Sequence, residues 1–366
     1  MGLSSYGKTD KYYNEFKRVV RLVPDGEYEM DMSFFNYQYG EIPYYSDKFL
    51  LTFGDDRKPG QEVTDRHAEV ARGGQLRLED AMLHIANYLH TVTGSRNLCL
   101  NGGVALNCVA NGRLLRQSEF EETFIQPAAN DAGAAVGAAF YIHNGLLGNK
   151  RDFVMDHAFW GPEYSHDEIE AFLKLSKVPY KNVKNPSAEA ARLLAKGRIV
   201  GWFQGRMEFG PHALGKRSIL ADARDPKMKD LVNDLVKHRE SFRPFAPSIL
   251  AEKVSEYFDF SYPSPFMLLA YNVLPEKRDV IPSVTHVDGT GRVHTVEKGT
   301  DPLYYSLIAE FEKLTGVPVV LNTSFSVEEE PIVCTPKDAL RSFYTTGIDD
   351  LVIGNFLLSK TRDRQG

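Results

Sequence analysis

The sequence is short of several things, and each shortage excludes a class of protein. Three cysteines stand in 366 residues, Cys99, Cys108 and Cys334. Their spacing matches neither a zinc motif nor a C-x-x-C redox pair. An odd count in that pattern fits reduced thiols in a cytoplasmic protein, where free cysteine acts as a small core-filling residue. No apolar run reaches the ~18 residues of a membrane span, and the opening residues lack the apolar stretch of a secretory signal. Positive charge is in deficit, with 43 Lys and Arg against 49 Asp and Glu, a formal charge of −6. That balance argues against nucleic-acid binding through bulk charge but leaves a local basic site open. Neither G-x-x-x-x-G-K-[ST] nor a strand running into G-x-G-x-x-G occurs, so no standard nucleotide loop is present. No internal repeat or low-complexity tract breaks the chain.

What is present concentrates between Arg198 and Leu250. An apolar run, Ile199 to Phe203, predicts a buried strand. A loop with Gly205, Gly210 and Gly215 follows, carrying Arg206, His212, Lys216 and Arg217. A helix is expected over Met228 to Glu240, with Lys237 and Arg239 near its end, and Arg243 precedes another apolar run. Glycine lets backbone N–H groups approach an anion, and ammonium and guanidinium groups neutralise it. Cations this dense in an acidic chain point to a phosphate or carboxylate site; a solvated loop with ordinary surface charges is the competing reading.

The length suits two domains, each with its own core. Residues 17–60 are irregular and rich in aromatics, either packed as a small core or lining an acceptor pocket. From Arg77, Ala81, Ile85, Ala86 and Leu89 predict an amphipathic helix to about Val92, stopped by Gly94. A strand at Leu98–Leu100 runs into Asn101-Gly102-Gly103 and a helix from about Ala105 to Gln117, a geometry that also serves phosphate binding. Phe124–Ile125 reads as a strand and leads through Asp131 into an Ala- and Gly-rich helix. Asp131 reads as an N-cap or as a ligand to a metal or polar group. Further helices are expected near 167–175, 188–196, 251–257, 303–315 and 336–346. Strands are expected near 267–273, 317–321 and 351–358, with Arg292 in a loop.

Taken together these segments resemble the O-carbamoyltransferase family of nodulation-factor and antibiotic biosynthesis. The resemblance is carried by MGLSSYG at Met1, NGGVALNCVANGRLL at Asn101, QPAANDAGAAVGAA at Gln126 and GWFQGRMEFGPHALGKRSILADARDP at Gly201. It continues through FRPFAPS at Phe242, THVDGTGRVHTV at Thr285 and LNTSFSVEEEPIVCTPKDAL at Leu321. It implies an α/β fold, a partial actin-like domain over 1–158 followed by a YrdC-like α/β domain over 159–366. The first half of the actin-like domain, with its histidine metal motif, is expected to be lacking.

The resemblance further implies carbamoyl-adenylate formation from carbamoyl phosphate and ATP, then transfer of the carbamoyl group to a hydroxyl of a small molecule or glycan. Lys237, Arg243 and Arg292 match the catalytic positions, and Arg206, His212, Asn322 and Ser324 the substrate-binding ones. Gly102, Gly103 and Asn107 match nucleotide contacts. Asp131 matches the ligand of a divalent metal such as iron, whose histidine ligands this sequence does not carry. A separate N-terminal half and a homo-oligomer are the partners implied, with no nucleic acid or membrane.

Some positions depart from the family pattern. His212 stands for Arg, Lys216 for Asn, Ser326 for Asn and Glu329 for Gly. Histidine lacks the permanent bidentate fork of arginine, so weaker carbamoyl phosphate binding, stronger at low pH, is expected. A binding module without turnover is the rival reading. A threonylcarbamoyl-type tRNA-modifying enzyme is disfavoured by the motifs and the acidic charge.

Overall fold

The computed structural model describes residues 1–40, 42–327 and 330–360, and the chain divides into two compact units. The first comprises Met1–Leu100 with Asn107–Phe124. Its spine is the helix Asp65–Thr93, opened by a capping box between Thr64 and His67 and closed by Gly94 at φ 61°. The helix starts twelve residues before Arg77, where Gly73 and Gly74 had hidden its periodicity. Those glycines serve packing, since a Cβ on Gly73 would lie 2.9 Å from the backbone of Tyr12.

Strands β1 (Val20–Leu22) and β2 (Tyr28–Met30) pair antiparallel, and β3 (Asn97–Leu100) joins β4 (Glu122–Ile125) in a second small sheet. The aromatic stretch builds a core of Tyr12, Val19, Phe34 and Phe53, with Phe49 and Phe53 ring centroids 4.5 Å apart. A hollow of about 300 Å³ beside it is lined by Leu3, Tyr45, Phe49 and Arg66 among others. Core filling holds for Cys108, which is buried, but not for Cys99. On β3, Leu98 takes the inward position, so alternation turns Cys99 to solvent.

The second unit comprises Asn101–Leu106 and the chain from Ile125 onward. It is built on β5 (Lys181–Asn182), β6 (Val200–Phe203), β7 (Arg217–Asp222), β8 (Ala246–Leu250), β9 (Leu269–Asn272), β10 (Thr290–Val296), β11 (Val319–Ser324), β12 (Asp350–Ile353) and β13 (Phe356–Ser359). These form one mixed sheet in the order β5-β13-β12-β6-β7-β11-β8-β10-β9. The α/β class is therefore as expected. Pairs β12–β6 and β8–β10 are parallel, and the rest antiparallel.

Register decides what each face carries. Ser248 lies opposite His294 and Val320, and Asn322 lies opposite Ala246 and Leu220. One face therefore holds Val200, Trp202, Leu220, Leu250, Val296, Val320 and Val352. Helices Pro186–Leu194 and Pro302–Thr315 cover that apolar part. Farther along the same strands, that face becomes polar. Both helices begin with a capped proline turn, Asn185 accepting from Ala188 N–H and Asp301 from Tyr304 N–H.

Four sequence expectations change here. Arg217 does not sit in a loop but opens β7, buried throughout. Arg292 lies within β10. Asn322 and Ser324 extend β11 beyond Leu321. The last strand is a hairpin of β12 and β13, turned at Gly354 with φ 54°.

Gly215 has φ 98°, and a Cβ there would stand 2.4 Å from the Tyr304 ring. Both the left-handed backbone and the contact require glycine. Gly215→Ala is expected to lower stability by at least about 2 kcal/mol, read by urea denaturation. An unchanged midpoint would contradict this packing.

Candidate active site

The polar half of the sheet face forms a floor from three adjacent strands. β10 supplies Arg292 and His294, β8 supplies Ser248, and β11 supplies Asn322 and Ser324. Asn322 is fully buried; its Nδ2 donates to the Ala213 carbonyl and to Ser248 Oγ, both at 3.0 Å. Its Oδ1 has no partner, an orphaned acceptor of the kind that native interiors usually satisfy. Ser248 Oγ also lies 2.8 Å from His294 Nδ1. Burial pushes His294 down to about 3, so the imidazole stays neutral at ordinary pH.

Above one end of this floor the cations gather. The helix Met228–Val232 continues as a wider turn, Asn233–Lys237, and His238 reverses it with φ 49°. That reversal separates Lys237 from Arg239. Lys237 is 4% exposed, and its Nζ donates to the carbonyls of Ser324 (2.5 Å) and Ser326 (2.7 Å). The hydroxyls of the same two serines lie at 3.3 and 3.2 Å. Burial, followed by the charge of Arg239, brings the amine down to about 7. Arg239 Nε donates to Asn233 Oδ1 at 2.8 Å, and its guanidinium lies over the Phe245 ring. Burial and then the fields of Arg243 and Arg292 bring Arg239 down to about 10. Arg243 is exposed and pairs with Glu240 at 3.1 Å. Arg292 Nη1 meets His212 Nε2 at 3.1 Å.

The glycine loop is occupied with its own structure. Glu208 is buried, and its Oε1 accepts from the backbone N–H of Leu214 (2.6 Å), Lys216 (2.8 Å) and Arg217 (3.3 Å). Burial raises its pKa. Arg217 donates to the carbonyls of Pro162, Gln204, Gly205 and Lys216 and stacks on Phe203 at 3.6 Å. Lys216 pairs with Asp301 at 2.8 Å. Arg206 donates to the carbonyls of Trp160 and Gly161. Of the loop's cationic and imidazole groups, His212 is the one joined to Arg292.

Residues 1–140 match the family described as carbamoyltransferase N-terminus and residues 191–360 that described as carbamoyltransferase C-terminus. The chain is 43% identical to an uncharacterized protein of Synechocystis sp., covering 100% of this chain and 64% of that protein. It is 39% identical to nodulation protein NolO of Bradyrhizobium diazoefficiens, covering 98% and 65%. An uncharacterized protein of Methanocaldococcus jannaschii is 32% identical, with 99% and 68% covered. The chain belongs to the carbamoyltransferase family. It spans less than two thirds of the length of the first two of these relatives.

Within this carbamoyltransferase-family chain, Lys237, Ser324, Asn322, Arg292 and His212 lie on or beside the floor, and Arg243 completes the basic group through its field on Arg239. Arg239 carries as much of that group, yet the motifs did not single it out; its only signal was its place two residues after Lys237. Ser248 and His294 were missed as well, because only register shows that they face Asn322. Ser326, a departure from the family's Asn, is a ligand of the Lys237 amine. Glu329 lies outside the described residues.

The nucleotide and metal positions are engaged differently. Gly102, at φ 93°, donates its N–H to the Ala129 carbonyl at 2.8 Å, and Gly103 is exposed. Asn107 caps the helix Cys108–Gln117 through Ala110 N–H and exchanges amide bonds with Gln75 at 2.9 and 3.1 Å. Asp131 is exposed and opens the short turn Asp131–Gly133. The N-cap of that turn is Asn130, without a side-chain bond, so the capping reading of Asp131 does not hold. Among the described residues no group of three His, Cys, Asp or Glu side chains is placed for a metal. One carboxylate alone does not make the donor set a divalent ion needs.

The expected strengthening of binding at pH 6 through His212 also fails. Burial and then the Arg292 charge hold His212 down at about 3, so it is neutral at pH 6 and pH 8 alike. Lys237 is the group that titrates in that range. An anion favours its protonated form, so affinity for carbamoyl phosphate is expected to fall as pH rises from 6 to 8, by up to about tenfold. Calorimetry should show the same slope in His212→Asn and a flat profile in Lys237→Met. A slope lost in His212→Asn would contradict the assignment.

Proposed function

We propose that the chain handles the activated half of carbamoyl transfer, binding carbamoyl phosphate and ATP and forming carbamoyl-adenylate: water cleaves carbamoyl phosphate to carbamate and phosphate, and the carbamate oxygen attacks the α-phosphorus of ATP with pyrophosphate leaving. The carbamoyl group then passes to a hydroxyl of a small molecule or glycan, and AMP leaves. The observation that carries this reading is the gathering of Lys237, Arg239, Arg243 and Arg292 around a polar floor. Burial first, and then the neighbouring guanidiniums, lower the proton affinity of Lys237 and Arg239, a cost that a bound anion would offset. Both substrates are polyanions, and fixed cations at the transferring groups stabilise charge that develops there. Membership of the carbamoyltransferase family fits the same chemistry.

Here Arg239 and Arg292 would hold phosphoryl oxygens, Lys237 would supply a titratable ammonium, and the free Asn322 acceptor would meet a donor such as the carbamoyl amide. Arg243, being exposed, suits a triphosphate better than a small buried group.

A second reading is a binding module without turnover. The neutral His212 beside Arg292 favours it. Pyrophosphate release from ATP by the whole chain separates the two, because it needs no acceptor. Release dependent on carbamoyl phosphate and cut at least about a hundredfold in Arg292→Ala is expected. Binding of both substrates without release would favour the module; no binding of either would overturn both readings.

A further inference from the structure

His212, Phe266 and Arg292 come from three separate segments, and their contacts fix where the imidazole carries its proton. His212 Nδ1 lies 3.3 Å from the Phe266 carbonyl, which can only accept, so Nδ1 holds the proton. Arg292 Nη1, 3.1 Å from His212 Nε2, can only donate, so Nε2 presents its lone pair. Both neighbours require the same neutral tautomer, and protonation of Nε2 would set N–H against N–H. The arginine of the family pattern could not make this contact, because a guanidinium has donors and no acceptor.

The carbonyl that orients the ring is itself held. Met267, buried, has φ 59°, a left-handed conformation uncommon outside glycine. Such strain persists only where the surrounding structure over-determines it, and it gathers at functional sites. The clamp lies two residues before the carbonyl. Ser264 N–H donates to Thr295 Oγ1 at 2.9 Å, and Ser264 Oγ to the Val293 carbonyl at 2.7 Å. The Ser264 carbonyl accepts from Thr295 N–H at 3.0 Å. These partners flank His294 on β10, the strand that carries Arg292. One strand thus anchors the guanidinium and, through Ser264 and Phe266, the imidazole that meets it. We infer that His212 is a positioning residue, whose Nε2 lone pair fixes the plane of the Arg292 guanidinium so that it meets a phosphoryl oxygen of carbamoyl phosphate in one orientation. The inference rests on carbamoyl phosphate as the ligand of this site. A guanidinium is planar and rigid, so holding one nitrogen restricts the directions of the others. Where the family pattern has a further charge, this chain has an acceptor that orients the charge beside it.

The test measures carbamoyl phosphate binding by calorimetry to the whole chain as wild type, His212→Leu and His212→Gln. Leucine removes the acceptor, and glutamine offers one again through Oε1. Affinity is expected to fall at least about tenfold in His212→Leu and to return close to wild type in His212→Gln, with circular dichroism spectra unchanged. Equal loss in both variants, or none in His212→Leu, overturns the inference. Nitrogen NMR of the histidine-labelled wild type gives a readout that needs no ligand, the His212 signals being those lost in His212→Gln. A protonated Nδ1 with a bare Nε2 is expected; a protonated Nε2 overturns the inference. Binding with this pattern but without pyrophosphate release would remove the carbamoyl-adenylate reading and leave the positioning role standing. No binding by the wild type would overturn both.

Discussion

One sheet face serves both as core and as site floor, and the exchange takes place within two residues along each of three strands. Val320 gives way to Asn322, Leu250 to Ser248, and Val296 to His294. Side chains two apart in a strand share a face, so the helices that seal the apolar end leave the polar end in line with it. A one-residue slip would turn Ile249, Leu321 and Val293 onto the floor and send its polar groups to the other side. The register of β7, β11, β8 and β10 is therefore the constraint on which the site depends, and burial of Val320, Leu250 and Val296 under two helices holds that register.

Electrostatics sorts the cations into two sets. Arg217 and Lys216 are consumed by the fold, one by carbonyl oxygens and the Phe203 ring, the other by Asp301. Glu208 takes the loop's backbone donors that a phosphate would otherwise want. In the second set, Arg239 acts on Lys237, and Arg243 and Arg292 act on Arg239, each lowering its proton affinity after burial. Like charges held together under partial burial cost free energy unless an anion compensates, and this is why the proposed anion site falls at the second set and not in the glycine loop. This distinction matters for function, because both sets look alike as residue types.

Much of the fold was legible because its signals are local. The glycine stop at Gly94 and the apolar run Ile199 to Phe203 correspond to real elements. Strand β7 was not legible, since its buried arginine and flanking glycines read as a loop until the carbonyl cage around Arg217 is seen. The motif resemblance pointed to Lys237, Asn322, Ser324 and Arg292, which register gathers on one floor. It could not show that His212 is held neutral, because desolvation is a property of the packed neighbourhood and not of the residue. Nor could it show that the Asn107 amide is already committed to a helix cap and to Gln75.

The most direct measurement is a crystal structure of the whole chain grown with carbamoyl phosphate. The phosphoryl group is expected within hydrogen-bonding reach of Arg239 and Arg292, with the carbamoyl amide toward Asn322 Oδ1. Phosphate bound instead in the glycine loop or at Gly102–Gly103, with Arg239 and Arg292 left as they stand, would contradict the placement of the site on the sheet face.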